Sequence, residues 1–252
     1  MSAPYALETR GLNRSFGALR VAQDISFALP VGARHALIGP NGAGKTTLVN
    51  LLTGMLAPSS GTVWLNGADI TRATAAERAR HGLARTFQIN TLFPHLSPLE
   101  ATALATSRRH GLTLNPLRRL SSCGSVIDEA RDLLAQFDFG ADAARPTRDL
   151  PYGRQRLLEI VLALAARPTV LLLDEPAAGV PSHESAEIFT AIAALPANIA
   201  VLFIEHDMDV VFRFAERVTV MVAGQILCEG PPAEIAVHPE VREVYLGGDD
   251  DV

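Results

Sequence analysis

Gly39-Pro40-Asn41-Gly42-Ala43-Gly44-Lys45-Thr46 fits the pattern G-x-x-x-x-G-K-[ST] without deviation. A short apolar run, 35–38, leads into it, and a stretch of helical periodicity, 45–56, leads out and stops before Pro58. Strand, glycine-rich loop and helix in that order form a cradle for polyphosphate. The glycines let backbone N–H groups turn inward, and the helix N-terminus adds partial positive charge. Lys45 is expected to reach the β- and γ-phosphates, and the Thr46 hydroxyl to ligate Mg²⁺. Thr47 completes the run of expected nucleotide contacts. Lys45 is also the only lysine among 22 basic residues. A compact ammonium slots between two phosphates where a broad guanidinium does not, which explains why lysine stands at this one position.

Downstream, Val170-Leu171-Leu172-Leu173-Asp174-Glu175-Pro176 reads as a buried strand ending in two carboxylates. Successive side chains on a strand point to opposite sides. One acid is therefore expected to face the metal and the other the γ-phosphate. Asp174 is assigned to Mg²⁺, and Glu175 to the proton of the attacking water. His206 follows another strand, 200–205, on the side where α/β sheets bind ligands. It is expected to meet the γ-phosphate and steady Glu175. Gln88 closes a strand expected over 85–88 and faces Mg²⁺ or the water. Phe16, upstream of the loop, is a candidate for stacking on adenine.

The rest of the chain sets bounds. Its 252 residues are 48% hydrophobic and 19% charged, with a net charge of -5. That suits a large α/β domain and argues against nucleic acid as partner. Cys123 and Cys228 have no metal-ligand spacing and are expected to be reduced thiols. No signal segment and no apolar run of about 18–20 residues is legible, so a membrane role would be played from the water side. Strands are expected over 5–9, 25–29, 35–38, 62–65, 170–173, 199–204 and 218–222. Helices are expected over 99–108, 126–137, 153–166, 184–195 and 208–215, with an exposed connection over 111–125. Alternation of strand and helix implies a parallel sheet covered on both faces.

These motifs in this order resemble the ATPase subunit of ABC transporters over nearly the whole chain. The distinguishing stretch is Leu150-Pro151-Tyr152-Gly153-Arg154-Gln155-Arg156, similar to the family's L-S-G-G-Q signature. The resemblance implies a P-loop NTPase (RecA-like) α/β core over 1–88 and 168–252. It adds an antiparallel β subdomain and an inserted α-helical subdomain over 89–167. It implies ATP and Mg²⁺ as ligands, Phe16 at adenine, and Gln88 and His206 as the Q-loop and switch residues. It also implies that Tyr152, Gly153, Arg154 and Gln155 contact ATP bound to a second such subunit. The partners implied are that second subunit in a homo- or heterodimer, transmembrane permeases and, indirectly, a periplasmic solute-binding protein. The place implied is the inner face of the cell membrane.

The segments 85–88 and 92–94, the stretch 174–179 and the ending Val244-Tyr245-Leu246-Gly247 look most like importers of branched-chain amino acids and related amides or small polar solutes. An exporter or lipid-transport ATPase, or a mainly regulatory subunit, stays open as an alternative. Three departures bear on this: Pro151 stands where serine is usual, Arg154 where glutamine is, and Pro181 where aspartate is.

Overall fold

The computed structural model describes residues 5–86, 92–111 and 124–246. Two sheets carry the architecture. The first is antiparallel, in the order β2 (Leu19–Pro30), β1 (Tyr5–Phe16), β4 (Ser60–Leu65) and β5 (Ala68–Asp69). The second has six strands, in the order β10 (Gln225–Gly230), β9 (Arg217–Val222), β3 (Arg34–Ile38), β8 (Ala200–Ile204), β7 (Val170–Asp174) and β6 (Leu83–Arg85). Its strands run parallel except β10, which forms a hairpin with β9. The α/β class with an antiparallel sheet at its side is as the sequence implied.

Strands β3, β7 and β8 are buried at every position. They read as near-continuous apolar runs because both faces are covered. Side chains alternate between two cores. Ala36, Leu171, Leu173, Val201 and Phe203 join one core with α5 (Tyr152–Leu164) and α6 (Ser182–Ala193). There Phe189 packs edge-on to Phe203 at 5.6 Å and stacks on Phe214 of α7 (Met208–Phe214) at 5.3 Å. Leu37, Val170, Leu172, Leu202 and Ile204 join the other core with α1 (Lys45–Thr53) and the antiparallel sheet. From α1, Leu48, Val49, Leu51 and Leu52 are fully buried, each contributing about 1.5–3 kcal/mol of hydrophobic transfer.

Helix α1 is three residues shorter than its periodicity suggests. Gly54 adopts a left-handed C-cap, with φ 76°. The buried Arg78 then bonds the freed carbonyls of Leu51 and Leu52, at 2.6 and 2.7 Å. Arg78 lies on α2 (Ala75–Arg80), a helix the periodicity did not reveal. Its start was nonetheless legible: Thr74 and Glu77 close a full capping box. The same box, Ser97 with Glu100, starts α3 (Pro98–Arg109) with proline in its first turn. The strand expected over 85–88 ends at Arg85, although the Thr86 N–H still bonds Leu172 at 3.0 Å. Gln88 and most of the connection expected over 111–125 lie outside the described residues.

Helix α3 packs on α4 (Gly124–Ala135) through Leu99, Ala103, Val126 and Ala130. An ion cluster ties this pair to the turn after α5. Glu129 receives Arg109, His110 at 3.1 Å and Arg167 at 2.7 Å. Partial burial pushes the Glu129 carboxyl up. The hydrogen bonds from His110 and Arg109, the Arg109 charge and the bond from Arg167 outweigh that and hold it at about 2. A carboxyl depressed on folding stabilises above its ordinary 4.5 and loses that stabilisation as pH falls toward 2. Glu129→Gln is therefore expected to lower stability by about 1–2 kcal/mol at neutral pH. Denaturant midpoints of the two proteins should converge as the pH approaches the Glu129 value. A deficit that does not change between pH 7 and pH 3 would contradict this account.

Candidate active site

The parallel strands bring their carboxyl ends to one edge of the sheet. Loop 39–46 leaves β3 there, Asp174 ends β7, and Glu205 and His206 follow β8. A cleft of about 260 Å³ opens at this edge. It is lined by Asn41, Gly42, Ala43, Gly44, Lys45, Thr46 and Thr47 on one side, and by Asp174, Glu175 and His206 on the other. Val21 of the antiparallel sheet completes the wall. Gly39 and Pro40 hold the loop's near side through their carbonyls.

Gly44 caps α1 at φ 99°. A Cβ there would press within 2.7 Å of the Val21 carbonyl, so only glycine lets β2 close on the loop. The Lys45 ammonium folds back onto the carbonyls of Gly39, at 2.6 Å, and Pro40, at 3.0 Å. Burial draws its pKa below the ordinary lysine range, and the charges of Glu175 and Asp174 oppose that shift.

Glu175 does not continue the alternation of β7 as the sequence suggested. Its φ is +50°, a left-handed turn at the strand end. That turn is pinned by its N–H on the Ile204 carbonyl at 3.1 Å. The carboxylate is delivered to His206, whose Nε2 lies 2.8 Å from Oε1. Asp174, only 7% exposed, keeps strand geometry, and its Oδ2 accepts from Arg85 at 2.9 Å. A hydroxyl and a carboxylate on facing walls are hard oxygen donors of the kind Mg²⁺ takes, with phosphates supplying the remainder. Thr46 and Asp174 would hold it.

Sequence reasoning missed Glu205. It is buried, and Oε1 has no hydrogen-bond partner, while the other oxygen accepts from the His206 N–H at 3.3 Å. Burial first, then the charges of Glu175 and Asp207, push it up to about 7 against bonds from the His206 and Ala177 backbone. The signal was an acid placed directly after a fully apolar strand. Arg85 and Asn50 were missed too, because no motif gives either position a role at the site.

The residues assigned to a second subunit's ATP lie at the start of α5. Pro151 is the N-cap and offers no side-chain bond, so the first amides of α5 are not capped from the side chain. Gly153 is buried where any Cβ would run into the Glu184 carboxylate. Tyr152 is exposed and lies under the Arg156 guanidinium at 5.2 Å. The Arg154 side chain is turned into its own chain. It stacks on Phe139 at 4.0 Å and bonds Asp142 and the carbonyls of Phe137 and Asp138. Gln155 bonds the Leu150 carbonyl at 3.0 Å. Phe16 sits at the turn between β1 and β2, 49% exposed, with the Arg14 guanidinium 4.6 Å above its ring. Gln88 lies outside the described residues.

A phosphate loop, a carboxylate pair at the next strand but one, a histidine on the second of that pair and a helix that opens uncapped within a Leu-Pro-Tyr-Gly stretch define an ATP-binding cassette. The chain belongs to the ABC transporter family, whose model matches residues 22–178, and it is an ATPase of that family. A second model, branched-chain amino acid ATP-binding cassette transporter, matches residues 225–251. Among curated proteins, the high-affinity branched-chain amino acid transport ATP-binding protein BraF of Pseudomonas aeruginosa is 36% identical, over 98% of this chain and 99% of its own. The corresponding protein LivG of Salmonella typhimurium is 37% identical over the same shares. Among solved structures, the ADP conformation of MJ1267, an ATP-binding cassette of an ABC transporter, superposes with a TM-score of 0.84. It is 29% identical and is matched over 98% of this chain and 99% of that one. Among the described residues, no helix is long and apolar enough to cross a membrane.

Proposed function

We propose that this chain powers import of branched-chain amino acids through a membrane complex; BraF and LivG are named for high-affinity transport of these amino acids. The observation that carries the reading is the cleft in which Lys45, Thr46, Asp174, Glu175 and His206 meet. Similarity to those two proteins along its whole length supplies the substrate class.

ATP binds with its phosphates on the amides of 39–46 and on Lys45, and with adenine against Phe16. Mg²⁺, when bound, neutralises charge on the β- and γ-phosphates. Thr46, Asp174 and Gln88 are the residues assigned to it. Glu175 accepts a proton from a water that attacks the γ-phosphorus in line, and the bond to the β-phosphate oxygen breaks. His206 holds Glu175 in place through the 2.8 Å contact and is assigned to donate to the γ-phosphate. Tyr152, Gly153, Arg154 and Gln155 belong to the site of a second cassette. The uncapped amides of α5 suit them to an anion, whereas the side chains of Arg154 and Gln155 serve their own subunit.

In this reading 1–88 and 168–252 form the nucleotide-binding part. The helical part, 89–167, docks on permease subunits at the inner face of the membrane, and a periplasmic solute-binding protein delivers substrate from the other side. Deleting this chain in its source cell should abolish high-affinity uptake of radiolabelled leucine, and restoring it should recover uptake. Unchanged leucine uptake alongside loss of another solute's transport would replace the substrate class.

A further inference from the structure

Arg85 was given no role at the site by the sequence, yet its guanidinium bridges α1 and the end of β7 behind the cleft. One nitrogen, Nη1, donates to Asn50 Oδ1 at 2.7 Å, and the other, Nη2, to Asp174 Oδ2 at 2.9 Å. The side chain is 12% exposed. Asn50 lies four residues after Thr46 on α1, so the two share a helix face. Asp174 lies two residues after Leu172 on β7, the face that packs against α1. Arg85 itself pairs with Leu172 across β6 and β7. The bridge therefore joins the helix face bearing the Thr46 hydroxyl to the strand end bearing the Asp174 carboxylate.

We propose that Arg85 is a positioning residue: its two-pronged guanidinium sets the separation and orientation of Thr46 and Asp174 and so tunes the affinity of the nucleotide site for Mg²⁺. This rests on the assignment of those two residues to the metal. The chemistry explains the residue type. Two acceptors on different elements can be held at once by a planar fork with fixed donors, whereas an ammonium presents a single point. The same contact occupies one carboxylate oxygen and so restricts the rotation of Asp174. Partners behind a metal ligand of this kind alter metal affinity by about 10–100-fold when removed.

Lysine at this position keeps the charge and loses the fork, which separates geometry from electrostatics. The test is calorimetric titration of ADP into purified wild type, Arg85→Lys and Asn50→Ala, with Mg²⁺ and with a chelator. In wild type Mg²⁺ should tighten ADP binding. In Arg85→Lys the affinity without Mg²⁺ should stay within about twofold of wild type, and the Mg²⁺-dependent gain should shrink about tenfold. Raising Mg²⁺ should restore the gain. Asn50→Ala, which leaves Arg85 on Asp174, should shift the gain in the same direction by a smaller factor, and it decides the matter alone should Arg85→Lys not fold. A full Mg²⁺-dependent gain in both variants would overturn the proposal. So would an equal loss with and without Mg²⁺, which would mark the bridge as a scaffold for the loop. Failure of the metal assignment itself would show in the wild-type arm, as binding indifferent to Mg²⁺.

Discussion

Glu175→Gln is expected to lower ATP turnover about 10²–10⁴-fold while leaving MgATP binding intact. The carboxylate is 2.8 Å from His206 Nε2, and its backbone is fixed in a left-handed turn by the bond to Ile204. An amide of the same shape keeps the steric fit and can still bond the imidazole. What it lacks is an oxygen that can take up a proton from water. Binding contacts come from the opposite wall, through Lys45 and the amides of 39–46, so affinity should hold. Single-turnover phosphate release, read beside equilibrium nucleotide binding, separates the two effects. Release at a near wild-type rate would remove Glu175 from the proton-accepting role. A parallel fall in affinity would mean that the substitution disturbed the loop.

Lys45→Ala is expected to reverse that pattern, with affinity for ATP falling about 10²–10³-fold. Two hydrogen bonds from a charged donor contribute about 1.5–3 kcal/mol each. Part of that gain is already spent in the free protein, because the ammonium rests on the Gly39 and Pro40 carbonyls and must leave them. The expected loss therefore sits near the lower end of the range. Folding should be little affected, since the contacts removed are two exchangeable bonds to carbonyls at the loop. Calorimetric titration with ATP and Mg²⁺ checks this, with a melting curve as control. An affinity within threefold of wild type would mean that the backbone amides hold the phosphates without help. Arginine at this position should restore little, because its broad head does not enter the gap between two phosphates.

Much of the catalytic edge could be read from the residues. Loop 39–46 and strand 170–174 announce themselves because their chemistry demands fixed residue types at fixed spacing. The central strands β7 and β8 were equally plain, since full burial makes 170–173 and 200–204 unbroken apolar runs, and β3 was legible from its apolar end, 36–38. What stayed hidden depends on long-range geometry. Nothing local marks Arg85 as the neighbour of Asp174, 89 residues away in sequence. The turn that swings Glu175 toward His206 arises from pairing between β7 and β8, not from the sequence of β7 itself. Helix ends failed where a tertiary contact overrode periodicity, as when Gly54 and Arg78 shortened α1. Hairpin β9–β10 was missed although Ala223-Gly224 has the left-handed angles of a tight turn. Alanine at its first position disguised it.

The clasp made by Arg154 has a mechanical corollary. From the first turn of α5, its guanidinium sits 4.0 Å over the Phe139 ring and grips the carbonyls of Phe137 and Asp138, just past the end of α4. The tip of α5 and the segment behind α4 are thus keyed together like teeth of one gear. Torque delivered to α3 and α4 from outside would arrive at the Tyr152–Gly153 amides with little backlash. A glutamine, with one short amide in place of that clasp, would leave the same gear running loose.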